Sequence, residues 1–250
     1  MKQYKNYIFD LYSTLIEVKT NEKGAALWKY MAAIYAGFGA EYDWRDLRRS
    51  FWEMEAKARS DAQDEMGEGY AEIEVGDLFL RLLKEAPKKH EIMHKIADER
   101  TWVITVTEVF RSLSRKQMEV YPWTVPVLTE LKKRGCGVYL LSNAQSLFTR
   151  SEIEMTGLDG LFDDIYISSE FGRLKPDPVF LLSLMKRYRM KPEETVMVGN
   201  DLFSDMCLAQ AGGIDGVLLN TSTFSYTKEE IQERNTMNAV VIEDMRELLK

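Results

Sequence analysis

The stretch Tyr7-Ile8-Phe9-Asp10 decides the fold. Three apolar residues, two of them aromatic, run straight into a carboxylate. An unbroken apolar run reads as a strand buried on both faces that ends where a polar loop begins. Runs of the same kind return only far downstream, at Gly137-Val138-Tyr139-Leu140-Leu141, Ile165-Tyr166-Ile167, Val196-Met197-Val198, Val217-Leu218-Leu219 and Ala239-Val240-Val241-Ile242. Helix-period sequence separates them, over 126–134, 147–156, 179–188 and 205–211, with a turn or short helix at 228–234. Strands alternating with helices predict an α/β fold with a doubly wound parallel sheet. In such sheets ligands bind beyond the carboxyl ends of the strands.

Between the first run and the second lies a stretch of another kind. From Glu17 to Arg115 no strand run is visible, and apolar residues fall at three- and four-residue spacings. Leu27, Tyr30, Met31, Ile34, Tyr35 and Phe38 form one such stripe. Leu47, Phe51, Met54 and Ala58 form another, after Asp43 as N-cap. Leu78, Phe79, Leu82 and Leu83 give a third, and Ile92, Ile96, Val103, Val106, Phe110 and Leu113 a fourth. The expected organisation is an α/β core of residues 1–16 and 116–250, with a helical domain of residues 17–115 inserted after the first strand.

Composition sets the outer bounds. The chain has 250 residues, 45% of them hydrophobic, enough for a real core and against global disorder. Asp plus Glu number 40 against 33 Lys plus Arg, a net charge of -7. That acidic balance argues against a nucleic-acid partner, whose footprint is basic, but allows a small anionic substrate held by a few local cations. Cys136 and Cys207 cannot build a disulfide framework and read as reduced core thiols. The amino-terminal run meets a charge within a few residues, and no stretch nears the ~20 apolar residues of a membrane helix. The expectation is a soluble, cytoplasmic chain with no membrane partner; its oligomeric state stays open.

The strand ends carry the reactive atoms. Asp10 follows the first strand, and Ser142 and Asn143 the second. Lys175 lies in the loop after the third, and Asn200, Asp201 and Asp205 follow the fourth. In a parallel sheet these residues meet at one edge. The set is a carboxylate nucleophile, a hydroxyl and amide, one cation and further acids. Lys175 and a hard divalent cation such as Mg²⁺ would relieve the repulsion among the acids.

The segments FDLYSTL (9–15), LLSNA (140–144), GRLKPDPVF (172–180) and VGNDLFSD (198–205), in that order, resemble the four motifs of the haloacid dehalogenase-like hydrolase superfamily. The resemblance implies a Rossmann-like core and identifies the helical insert with that superfamily's cap. By resemblance Asp10 is the nucleophile, Ser142 the phosphate-binding hydroxyl and Lys175 the charge-balancing lysine, with Thr14 and Asn143 beside the substrate. Asp201 is then the acidic ligand of Mg²⁺, joined by Asp10 and the Tyr12 backbone carbonyl, with Asn200 and Asp205 ligating or orienting. The expected function is Mg²⁺-dependent hydrolysis of a small phosphorylated metabolite through an aspartyl-phosphate.

Tyr12 departs from that pattern. Most phosphatases of the superfamily carry an Asp there as general acid and base, and a phenol, with a pKa near ~10, cannot replace it at neutral pH. The superfamily's haloacid dehalogenases also carry Tyr there, need no proton for a halide and use no metal. Metal-independent 2-haloacid dehalogenation is therefore the alternative, and a catalytically weak binding module the third reading.

Three other signals stand outside the motifs. His90-Glu91-Ile92-Met93-His94 matches H-E-x-x-H, with Glu108 or Glu119 as the possible third zinc ligand. Its charged surroundings favour a solvated helix face. The Gly-rich acidic loop at 64–70 could lower over the strand ends. Trp44, Arg45, Arg48 and Arg59 could present cations and a ring to an anion, though such residues more often form a helix surface.

Overall fold

The computed structural model describes residues 1–89, 96, 98–221 and 225–250. A six-stranded sheet of β1 (Asn6–Phe9), β6 (Gly137–Ser142), β7 (Asp164–Ile167), β8 (Thr195–Gly199), β9 (Asp215–Leu219) and β10 (Val240–Ile242) runs in the order β10-β9-β8-β1-β6-β7. Every pairing in it is parallel. The chain winds outward from β1 to β6 and β7 on one side, then crosses back to β8, β9 and β10. The order reverses at β1, the position where such sheets open a crevice.

Side chains of the central strands alternate between two cores. Tyr7 and Phe9 of β1, Val138 and Leu140 of β6 and Val196 and Val198 of β8 enter one apolar cluster. Ile8, Tyr139, Leu141 and Met197 enter the other. Period-two geometry thus splits one apolar run between two faces, and helices cover both. α5 (Thr124–Lys133) and α6 (Ser146–Met155) bury residues on the first face. α7 (Pro178–Tyr188) and α8 (Cys207–Gly212) cover the second. The expected α/β doubly wound parallel sheet is present.

Residues 25–114 build a helical body with a core of its own. α1 (Ala25–Gly37), α2 (Trp44–Met66), α3 (Val75–Lys84) and α4 (Glu99–Ser114) meet around Trp28, Phe51, Phe79 and Phe110. The Phe51 ring lies 5.1 Å from that of Phe79 and 5.6 Å from that of Phe110. Asp43 caps α2 through the Arg45 N–H. The stripe on α1 differs from expectation: Trp28 and Ala32 are buried, while Tyr30 is 61% exposed.

The absence of strands between Glu17 and Arg115 is corrected. β2 (Ile16–Thr20) and β5 (Arg115–Val120) form an antiparallel stem through which the chain leaves the sheet and returns. A short pair, β3 (Ala40–Glu41) with β4 (Lys88–Lys89), joins two loops of the helical body. β2 and β5 alternate polar and apolar residues and carry several charges, so neither shows the apolar run by which the sheet strands are read. No helix among the described residues is long and apolar enough to cross a membrane.

Candidate active site

Backbone register sets the reacting level. Phe9 stands opposite Leu140 and Val198, and the Asp10 N–H donates to the Val198 carbonyl at 3.0 Å. Asp10 therefore leaves β1 beside Gly199, with Ser142 and Asn200 one residue beyond on either side. A Cβ at Gly199 would lie 2.2 Å from Asp205 Oδ2. Glycine is what lets that carboxylate close on the strand end.

Lys175 ties the pieces together. Its Nζ donates to Asp10 Oδ1 at 2.6 Å and to Asp205 Oδ1 at 2.7 Å, and its side chain is 2% exposed. Asn143 positions the lysine from both ends, accepting from the Lys175 N–H at 2.7 Å and donating to the Lys175 carbonyl at 3.1 Å. The Lys175–Pro176 peptide bond is cis. Burial works against the ammonium, yet the Asp10 and Asp205 charges outweigh it and hold Lys175 above the usual lysine range. Burial, then repulsion from Asp10, raises Asp205 in spite of Lys175.

Thr14 links the nucleophile to the fourth motif. Its hydroxyl lies 3.2 Å from Asp10 Oδ2 and 3.1 Å from Asn200 Oδ1. Asp201 stands at the start of the turn that follows β8. Its carboxylate accepts from the Ser204 N–H and, at 2.9 Å, from the Tyr226 hydroxyl, capping the turn Leu202–Met206. Among the motif acids and amides, Asn200 shares the Thr14 hydroxyl with Asp10, Asp205 bonds Lys175, and Asp201 bonds Tyr226. The buried Ser142 Oγ has no hydrogen-bond partner. Nearly all buried hydroxyls in folded proteins are paired, so this one is free for a ligand.

Tyr12 is the unexpected element. Its hydroxyl donates to Glu152 Oε2 at 2.6 Å and lies 3.0 Å from the Thr149 hydroxyl. Burial and the Glu152 charge hold the phenol well above its ordinary range. Glu152 on α6 is fully buried and also receives Arg111 Nε at 2.7 Å and Arg115 Nη1 at 2.9 Å. Burial alone would raise Glu152, but these bonds and charges prevail and lower it.

A cavity of about 390 Å³ adjoins the site, lined by Tyr12, Arg59, Glu72, Arg111, Gln145 and Phe148 among others. The loop after α2 closes one side: the Leu174 N–H donates to the Tyr70 carbonyl at 2.8 Å, and the Glu72 N–H to the Gly172 carbonyl at 3.1 Å. Of the cations considered on α2, Arg59 reaches the cavity. Arg45 and Arg48 instead pack over Trp44 at the far end of that helix. The paired histidines of H-E-x-x-H lie outside the described residues; Glu108 bonds the Ser151 hydroxyl and Glu119 sits on β5.

Residues 4–213 match the family model of haloacid dehalogenase-like hydrolases. The chain belongs to the haloacid dehalogenase-like hydrolase family. Among curated relatives, the glyceraldehyde 3-phosphate phosphatase of Methanothermobacter thermautotrophicus is 28% identical over 51% of this chain and 56% of its own length. The phosphoglycolate phosphatase 1 of Pseudomonas aeruginosa is 31% identical over 52% of this chain and 46% of its own. The chain spans about half the length of the curated relatives it matches. Among solved structures, a 2-haloacid dehalogenase from Pseudomonas syringae superposes with a TM-score of 0.66 at 19% identity, over 99% of this chain and 98% of that one, a likeness of fold.

Three residues of the site escaped the sequence reading: Glu152, Arg111 and Thr149. Thr149, Glu152 and Ile153 are the buried residues of α6. A charged side chain on the apolar stripe of a helix is the signal that marks such a residue.

Proposed function

We propose that this hydrolase cleaves small phosphate monoesters through Asp10. The carboxylate attacks phosphorus, the bond to the leaving oxygen breaks, and water then releases phosphate from the aspartyl group. Lys175 balances the charge of Asp10 and Asp205, and the Ser142 hydroxyl donates to the phosphoryl oxygens. The observation that carries the reading is the unpartnered, fully buried Ser142 Oγ at the strand end next to a lysine-paired carboxylate. The curated relatives named as phosphatases support it.

The donor chemistry fits a hard cation. Among the described residues no three His, Cys, Asp or Glu side chains cluster as ligands. Oxygen donors of other kinds nevertheless converge, since Thr14 bridges Asp10 Oδ2 and Asn200 Oδ1. Mg²⁺ would be held by Asp10, the Tyr12 backbone carbonyl and Asn200 or Asp205, and would shield charge on the phosphoryl oxygens when bound. Asp201, whose oxygens keep acceptor capacity beyond their bonds from Ser204 and Tyr226, would be the further acidic ligand. The helical body of residues 17–115 is proposed to act as a cap that sets specificity through the cavity.

A second reading has its own observation. The Tyr12 hydroxyl is engaged by Glu152, and displacement of halide from a 2-haloacid by Asp10 needs no proton donor. A panel of phosphate esters and 2-haloacids, each with and without Mg²⁺, separates the two. Phosphate release that requires Mg²⁺ supports the first. Halide release indifferent to chelator, with no phosphate release, replaces it by the second.

A further inference from the structure

The phosphoryl group of an ester and the remainder of that ester meet different surroundings. Lys175 and the Ser142 hydroxyl stand at the strand ends, where phosphorus is attacked. The remainder has the adjoining cavity, whose lining includes Tyr12, two residues beyond Asp10, Asn143, next to Ser142, and Leu174, next to Lys175. At about 390 Å³ the cavity falls in the range of small-molecule sites. Its charged lining residues, among those described, are Arg59, Arg111 and Glu72.

Neither arginine brings an unmatched charge. Arg111 gives Nε to Glu152 Oε1 at 2.7 Å and Nη2 to Oε2 at 3.1 Å, and its Nη1 stands 3.6 Å from Glu22. Arg59 gives Nε to Glu55 at 2.8 Å and Nη1 to Glu72 at 3.1 Å. Arg115, behind them, is also on Glu152. Carboxylates therefore outnumber guanidiniums in this cluster. A carboxylate or second phosphate on the remainder would lose its water without gaining a counter-ion. A hydroxyl is better served. Arg59 Nη2 makes no hydrogen bond among the described residues. Glu72 Oε2 accepts from the Ser168 hydroxyl at 2.8 Å and keeps a further lone pair.

We propose that this cavity makes the enzyme selective for phosphate monoesters whose remainder is small, uncharged and hydroxylated, and turns away those whose remainder bears a carboxylate or a second phosphate. Glu72 and Arg59 set the preference: Glu72 accepts from a substrate hydroxyl and keeps the Arg59 charge matched. The inference rests on the phosphatase reading of Asp10 above and deepens it. The phosphoryl group is common to both kinds of ester, so the discrimination is read in affinity for the rest.

The test uses 2-hydroxyethyl phosphate and phosphoglycolate, which share a two-carbon frame and differ in a hydroxymethyl against a carboxylate. Each competes with p-nitrophenyl phosphate hydrolysed by the full chain with Mg²⁺, well above the phosphate pKa of about 6, so that both phosphoryl groups are dianions. The hydroxyl ester should inhibit with a constant about tenfold or more below that of the acid, because like charge suppresses the wrong partner. Glu72→Gln should narrow that ratio by weakening the hydroxyl ester and strengthening the carboxylate one. Glu55→Gln releases Arg59 Nε, leaves the Glu72 loop untouched and should narrow the ratio through the carboxylate ester alone; it carries the test if Glu72→Gln does not fold. Inhibition by phosphoglycolate equal to or stronger than by the hydroxyl ester, inhibition by neither, or a ratio that both variants leave unmoved overturns the inference, while turnover of p-nitrophenyl phosphate keeps the Asp10 reading. If p-nitrophenyl phosphate is not turned over, the phosphatase reading fails and the inference with it.

Discussion

The Tyr12 hydroxyl donates a 2.6 Å hydrogen bond to Glu152, a carboxylate 140 residues away on α6. Through that bond the nucleophile loop, the core helix and, by Arg111, the last helix of the helical body become one buried network. Glu152 is fully buried with two arginines against it, so it is costly to remove. Breaking a buried pair from one side costs about 3–5 kcal/mol, since the remaining charge stays desolvated.

Glu152→Gln should therefore lower the unfolding free energy by roughly that range near neutral pH. Glu152 titrates lower in the folded chain than in the unfolded one, so its contribution is present above the ordinary glutamate value and lost as pH falls through the lowered folded value. Denaturant titrations from neutral pH downward should show wild type and variant converging in acid. A gap that stays constant to the acid limit would contradict the assignment.

Ser142→Ala separates ligand binding from folding. Its hydroxyl is buried with no partner within the protein, so deleting it should leave the chain at least as stable as wild type. Loss of one donor aimed at developing charge costs about 10²–10³ in kcat. Thermal unfolding beside steady-state kinetics checks both, and a large Tm loss with normal activity would refute the role.

Asp10→Asn should reduce turnover to background while the fold persists. Lys175→Met should also abolish activity, but it should in addition destabilise the chain by about 3–5 kcal/mol, because two buried carboxylates lose their shared cation. Unfolding curves for the two variants beside wild type distinguish nucleophile from counter-charge; wild-type stability of Lys175→Met would show that the Lys175 pairing is energetically idle.

Gly69→Ala tests the loop over the cavity. Gly69 has φ of 113° and a Cβ there would stand 2.5 Å from Asp177 Oδ2. The variant combines a strained backbone with a steric conflict, so about 1–3 kcal/mol should be lost locally. Proteolysis at 64–73 should accelerate and KM should rise, with kcat much less affected. Unchanged cleavage and KM would mean that the loop does not need its seat on Asp177.

The amino-acid sequence determined the sheet, because an apolar run such as Tyr7-Ile8-Phe9 has no soluble alternative to burial on both faces. It also determined which residues end the strands, and so brought Asp10, Ser142, Lys175 and Asp205 to one edge. Local pattern carries no information on partners far apart in the chain. Nothing around Tyr12 names Glu152, and nothing around Asp201 names Tyr226; both pairings exist only because distant elements pack together. The β2–β5 stem was likewise hidden, since its stability comes from cross-strand pairing and not from an apolar run. Tertiary structure alone decided that Thr14 ties Asn200 to the nucleophile, that Asp201 accepts from Ser204 and Tyr226, and that the Tyr12 hydroxyl gives its hydrogen bond to Glu152.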